Sequence, residues 1–325
     1  MKHAKADAKA HARATMRGVW AAALTPFRPD LSLDEDGFRR NVRHWVDDLG
    51  IAGLFIAGKQ GEFFAMSVAE RKRTFELAVE ATAGRAQTIM SCSDQNLDTV
   101  IELARHAQAV GADWIVVHAP VLHFVHRPDA VVEEYYRHVA AQVDIGIAMW
   151  SHPDSGYLMS PELCARIADI PNVVAIKYSV PRDMYATLTH LAGDRLLVSS
   201  ASEDEWFDNI VELGWRLYLC SNPPFLYQTR VDRRIADYTD LAFRGEVEAA
   251  RRVRDSLDPV RHAFKSTRPP DKPHAHAKYW MDLLGQAGGP VRRPSLALTA
   301  AEKAAIRAAF EGCGLRTDAP AAAAD

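Results

Sequence analysis

The 325-residue chain predicts an α/β fold, a (β/α)8 TIM barrel with a C-terminal helical extension, on three observations. Short apolar runs alternate with amphipathic stretches of helical length, as a parallel sheet wrapped in helices requires. The runs number eight, which suits a closed barrel better than an open doubly wound sheet. The turn after the first run, Leu24-Thr25-Pro26-Phe27, has no glycine, whereas a dinucleotide-binding sheet needs a Gly-rich phosphate turn there.

The predicted strands are Val19–Leu24, Ile51–Ala57, Gln87–Ser91, Trp114–His118, Ile145–Trp150, Val173–Lys177, Leu196–Ser199 and Leu217–Cys220. Between them, Asp34–Leu49 carries Phe38, Val42, Trp45 and Val46 at helical spacing. Ser67–Ala83 opens on Ser67 and Glu70, the spacing of a capping box. Leu97–Val110, Pro128–Val143 and Pro161–Ile170 continue the pattern, the last two behind a helix-starting proline. Gly50, Gly111 and Gly214 stand where a helix gives way to the next strand, the place of a left-handed cap.

Residues 18–230 are therefore expected to form the barrel. From 231 to 313 the pattern stays helical, predicting a closing barrel helix and an extension that covers the barrel and an oligomer contact rather than binding substrate. Residues 1–17 are rich in Ala, Lys and His and lack the apolar segment of a secretory signal. They are expected to be a disordered or frayed tail, and residues 314–325 a flexible one.

Composition narrows the function. The chain is 48% hydrophobic, ample for a large core, and its net charge of −3 is spread without a basic face. Neither nucleic acid nor a membrane is an expected partner, since no apolar stretch reaches spanning length. Cys92, Cys164, Cys220 and Cys313 are far apart and read as reduced thiols of a cytoplasmic protein.

In such a barrel chemistry sits at the C-terminal strand ends. The sixth run, Val173-Val174-Ala175-Ile176, is apolar on both faces and ends in Lys177. Poor solvation lowers an ammonium pKa and frees the amine as a nucleophile, which condenses with a carbonyl to a Schiff base. An ordinary lysine would snorkel from the strand end to solvent or a carboxylate. The place of Lys177 in the ring of strand ends favours the chemical reading.

Four segments fall in one family's order and spacing: Leu24-Thr25-Pro26-Phe27, Gly58-Lys59-Gln60-Gly61-Glu62, Ser151-His152-Pro153 and Val174-Ala175-Ile176-Lys177. With Gly111-Ala112-Asp113 and the late Gly288-Gly289-Pro290-Val291-Arg292, they make the chain resemble the dihydrodipicolinate synthase / N-acetylneuraminate lyase superfamily of class I aldolases from about Gly18 to Phe310. The resemblance implies a Schiff base on Lys177 with pyruvate or another 2-oxo acid. It also implies that Gly58, Gln60, Gly61 and Glu62 hold the substrate carboxylate, largely through backbone N–H groups that the glycines let approach. It further implies a homo-oligomer, dimer or tetramer, without metal or organic cofactor.

The departures from the family pattern are informative. The turn normally reads Gly-Thr-Thr-Gly-Glu or Gly-Ser-Thr-Gly-Glu, but Lys59 and Gln60 replace the hydroxyl pair. Trp150 and Ser151 stand where the family has tyrosine and asparagine, and Pro120-Val121-Leu122-His123 lacks the synthases' tyrosine. An indole only donates, so the usual hydroxyl proton relay is missing and the lysine-pathway synthase reaction is not expected.

Substitutes are at hand. His152 shares a strand face with Trp150 and would titrate near neutral pH as general acid or base, unless it merely hydrogen-bonds at the strand end. Lys59 is expected either to pair with a substrate carboxylate or to repel the Lys177 charge, rather than face solvent. Trp150, Ser151 and Ser202 are further candidate substrate-binding residues, and Tyr157 is a closer relay candidate than Tyr178. Trp114, Phe63, Phe64 and Trp206 are expected to help Trp150 line an apolar pocket.

The expected activity is therefore a Schiff-base lyase, an aldolase or dehydratase, using a 2-oxo acid and, in the aldolase case, an aldehyde. Two alternatives stay open on this barrel: a catalytically altered protein that only binds the 2-oxo acid, and a hydratase-aldolase for arylidene pyruvates. The Lys177-Tyr178 pair and Glu203-Asp204-Glu205-Trp206 resemble the latter enzymes, which keep the tyrosine that Trp150 replaces. A metal centre would need His118, His123, His126, His274 and His276 to converge, and the first strand ends without an HxH pair.

Overall fold

The apolar runs pair as eight parallel strands: β1 (Gly18–Ala22), β2 (Gly53–Ile56), β3 (Gln87–Ser91), β4 (Trp114–His118), β5 (Gly146–Ser151), β6 (Val173–Tyr178), β7 (Leu197–Ser199) and β8 (Leu217–Leu219). The computed structural model describes residues 2–122, 128–200, 202–219 and 224–317. From β1 to β7 each strand pairs with the next, and β1 also pairs with β8, so the only neighbours without a ladder among the described residues are β7 and β8. At the β7–β8 seam the Leu219 N–H donates to Ser199 Oγ at 2.7 Å, a side chain standing in for a ladder carbonyl. Both faces of β5 and β6 are buried, as a strand between barrel core and outer helices must be.

The helices are α1 (Ala8–Thr15), α2 (Glu35–Arg43, prolonged by a π turn through Asp48), α3 (Val68–Thr82), α4 (Leu97–Ala109), α5 (Asp129–Ala141), α6 (Pro161–Ile167), α7 (Arg182–Ala192) and α8 (Glu203–Leu213). Local chemistry sets several of their ends. Ser67 and Glu70 form the expected reciprocal capping box of α3, and Gly214 ends α8 at φ 65°.

The extension is α9 (Arg234–Phe243), α10 (Val247–Asp255), α11 (Asp258–Ser266), α12 (Pro273–Leu283) and α13 (Ala300–Gly312). It is bound to the barrel through the Glu203 carboxylate of α8. That buried group accepts from Arg261 Nε (2.6 Å) and Nη2 (2.7 Å) of α11 and from Tyr238 OH (2.7 Å) of α9. Cys92, Cys164 and Cys313 are buried free thiols, and Cys220 lies outside the described residues. Among the described residues no helix is long and apolar enough to cross a membrane.

The N-terminal segment corrects the expectation of a disordered or frayed tail. Ala8, Ala12 and Met16, four residues apart, are buried on the inner face of α1. Lys5, Lys9 and Arg13 repeat at the same spacing and donate to main-chain carbonyls at three successive helix ends. Lys5 reaches Ala140 O and Val143 O (2.9 Å) at α5, Lys9 reaches Ala168 O at α6, and Arg13 reaches Gly193 O (2.7 Å) at α7. Orphan carbonyls at a helix C-terminus carry negative partial charge, so a cation there both caps and stabilises. With the apolar fraction so small, the segment's order comes from these caps as much as from burial.

Candidate active site

Lys177 is one residue from the end of β6, in register with Trp150 of β5 and Ser199 of β7. Only 4% of it is exposed. Its Nζ lies 4.8 Å from the ring centroid of Phe55 and 5.6 Å from that of Trp150. The amine therefore stands on a barrel wall of aromatic faces, at the catalytic end of the fold. It opens on a cavity of about 340 Å³, whose wall includes Gly58, Lys59, Gln60, Trp150, His152 and Ser179.

The turn after β2 is built for close approach. A Cβ at Gly58 would come within 2.8 Å of the Phe55 ring, and one at Gly61 within 3.1 Å of Ala23 O and of Thr25 Oγ1. The turn is closed by Glu62 N to Lys59 O (3.1 Å) and Phe63 N to Gly58 O (3.4 Å). The N–H groups of Lys59, Gln60 and Gly61 donate to no acceptor among the described residues. Successive free amides of this kind make a site for an anionic oxygen. The Trp150 indole N–H is likewise buried with no acceptor among the described residues.

Lys59 neither faces solvent alone nor stands free. Its ammonium pairs with Asp154 Oδ2, and its carbonyl accepts from His274 Nε2 at 2.9 Å. Burial, the largest single effect, raises the Asp154 pKa, but the Lys59 hydrogen bond and the surrounding positive groups together hold the carboxyl below its usual value. His152 corrects the expectation of an imidazole titrating near neutrality. Burial, then the Lys59 charge, pushes its pKa down to about 4. The Asp154 N–H donates to His152 Nδ1 at 3.1 Å, so the ring is neutral and carries its hydrogen on Nε2. Burial also lowers the pKa of His118 and of His274.

Several predicted site residues are not brought to this cavity. The Glu62 side chain turns away, adopts φ 58° and pairs with Lys278 Nζ of α12 at 2.5 Å. Ser151, one residue from Trp150, faces the other side of the sheet, where its Oγ accepts from Met159 N at 3.1 Å. Ser202 is half-buried at the N-cap of α8 and is absent from the cavity wall. Tyr157 donates to Asp129 (2.7 Å) and Tyr178 to Met159 O (2.5 Å), so neither hydroxyl is a relay here. His123 and His126 lie outside the described residues. Among the described residues no three His, Cys, Asp or Glu side chains are grouped to hold a metal.

A second cavity of about 380 Å³ adjoins the first, sharing Lys59 and Trp150. Phe63 and Phe64 line it with His118, Pro120 and Val121. Trp114 and Trp206 do not reach it: the first packs under His3 and His11, and the second stacks on Tyr218. The extension, expected only to cover the barrel, supplies Arg268, Pro270, Pro273 and His274 to the Lys177 cavity. No local signal marks these residues, because only the return of the chain over the barrel mouth places them there.

Comparison with known proteins agrees with this fold. The family model described as the Dihydrodipicolinate synthetase family matches residues 15–312. The 4-hydroxy-tetrahydrodipicolinate synthase of Methanothrix thermoacetophila is 29% identical over 90% of this chain and 95% of its own. That of Hyphomonas neptunium is 30% identical over 92% and 99%. A prophage protein of the dihydrodipicolinic acid synthase family from E. coli K12, solved in complex with pyruvate, superposes with a TM-score of 0.81 at 22% identity, covering 92% of this chain and 99% of its own. The chain is a lyase of the dihydrodipicolinate synthetase family.

Proposed function

We propose that the chain is a Schiff-base-forming aldolase or dehydratase that acts on pyruvate or another 2-oxo acid through Lys177. The observation that carries this reading is one cavity lined by both the buried amine and the turn residues Gly58, Lys59 and Gln60, the amides of the last two donating to no acceptor among the described residues. The neutral Nζ adds to the oxo carbon, and the carbinolamine loses its oxygen as water to give an iminium ion. That ion draws in the electron pair of the bond broken at C3, so the covalent adduct itself is the electron sink. The turn amides receive the substrate carboxylate.

Proton movement is assigned to the Lys59–Asp154 couple: Lys59 borders the Lys177 cavity where the family resemblance implies hydroxyls, and Asp154 lines the neighbouring cavity. His152, neutral, serves as a donor through Nε2. Both relatives named above are called synthases, but Trp150, Lys59 and Gln60 replace the groups that reaction is expected to use, and this supports a different acceptor. The neighbouring cavity of Phe63, Phe64 and Trp150 favours a second reading, a hydratase-aldolase whose substrate carries an aryl group. The enzyme is proposed to be cytoplasmic and a homo-oligomer, as the family resemblance implies.

Intact-mass measurement after incubation with pyruvate and sodium borohydride tests the reading. A pyruvyl adduct lost in Lys177→Ala is expected. No adduct with pyruvate or a panel of larger 2-oxo acids would leave only a barrel that binds without turnover.

A further inference from the structure

The wall of the Lys177 cavity carries three cationic side chains, Lys59, Lys177 and Arg268, and no carboxylate. Lys59 is neutralised by Asp154 on its far side. Lys177 must shed its proton to react. Arg268 is left with its full charge: among the described residues its guanidinium makes no hydrogen bond, ion pair or ring contact, and Asp271 on the same turn does not pair with it. An arginine cannot discharge by deprotonation, and its fork of N–H donors matches a carboxylate or phosphate.

The turn that carries it is stiff. Arg268 lies two residues past the end of α11 and is followed by Pro269 and Pro270, with Pro273 opening α12. Proline fixes its own φ and restricts the residue before it, so the Arg268 backbone has few conformations to lose on binding. Arg268 N to Lys265 O (3.4 Å) and Lys272 N to Pro269 O (3.1 Å) tie both ends of the turn. His274, two positions beyond, is bonded to Lys59 O and so anchors the start of α12 to the β2 turn.

We propose that Arg268 binds a second anionic group at the end of the substrate distant from the 2-oxo acid, so that the preferred substrate is a dianion. The inference rests on the Schiff-base reading of Lys177 for the near end of the molecule. The second charge is recognised from the extension, whereas the reacting carbon is held by the barrel.

Borohydride trapping of pyruvate and of 2-oxoglutarate, in the wild type and in Arg268→Gln and Arg268→Lys, tests it together with glutarate binding by calorimetry. The wild type is expected to trap 2-oxoglutarate at lower concentration than pyruvate. Arg268→Gln should raise the 2-oxoglutarate half-saturation on the order of tenfold to a hundredfold, the loss of one charge-assisted contact, and leave that of pyruvate unchanged. Arg268→Lys should restore part of it. Equal half-saturation for 2-oxoglutarate in wild type and Arg268→Gln would overturn the proposal while leaving Lys177 as the nucleophile. If no 2-oxo acid is trapped at all, Arg268-dependent glutarate binding would uphold the anion site and discard the Schiff base, and Arg268-independent or absent glutarate binding would discard both.

Discussion

Glu62 and Lys278 meet at 2.5 Å with 0% and 1% of their side chains exposed, tying the turn after β2 to helix α12. The carboxylate also accepts from Arg292 N at 3.2 Å. The turn that offers free amides to the Lys177 cavity is therefore held from behind by the extension.

Removing one partner of this pair strands a buried charge. Glu62→Leu and Lys278→Met should each destabilise the protein by about 3–5 kcal/mol, with the double variant costing much less than the sum. Urea unfolding measures this. Single variants within about 1 kcal/mol of wild type would show that the pair is not a structural clamp.

Lys59→Thr exchanges an ammonium for a hydroxyl and frees Asp154. Trapping of 2-oxo acids should then need about tenfold more substrate, the worth of one charged contact at a partly exposed site. An unchanged half-saturation removes Lys59 from the site.

The His152 ring is neutral down to a pKa of about 4, so it does not produce a kinetic limb near pH 6.5. His152→Gln should keep any near-neutral limb of the pH–rate profile. Loss of that limb would return His152 to the role of titrating acid or base.

Stability should show the same group. His152 and His276 are each lowered to about 4 by burial, whereas unfolded imidazoles protonate near 6.5. Between those values the unfolded chain binds more protons, so the contribution of these two rings to stability is lost as pH drops from 6.5 towards 4 and changes no further below. The melting temperature of His152→Gln should fall less steeply across that window, and an equal slope would contradict the shift.

Helix α1 is expected to act as a cap on the closed end of the barrel. Replacing both Lys9 and Arg13 by Ala should cost about 1–2 kcal/mol by thermal or urea unfolding, at about 0.5–1 kcal/mol for each lost cation at a helix C-terminus. No change would mean that the caps add nothing to burial of Ala8, Ala12 and Met16.

The barrel was legible because each strand and helix announces itself by a local period. Lys177 was legible because a charge ending an apolar run is anomalous in itself. The polar residues around it were harder. Ser151 sits one step from Trp150 and was predicted into the site, yet strand alternation sends it to the opposite face, where Met159 N occupies it. Glu62 belongs to the predicted turn, but its left-handed backbone swings the carboxylate to Lys278. The order of residues 2–17 was missed although Lys5, Lys9 and Arg13 share a helical spacing, because their carbonyl partners are more than a hundred residues away.

The sequence by itself determined the (β/α)8 barrel, its family and the amine at the end of the sixth strand, since periodicity and a misplaced charge are properties of neighbours in the chain. Only the tertiary structure decided that Lys59 is bound to Asp154, that His152 is neutral, and that Arg268 and His274 reach the cavity from the extension. Burial and distant charges set those facts, and both depend on which segments the fold brings together across hundreds of residues.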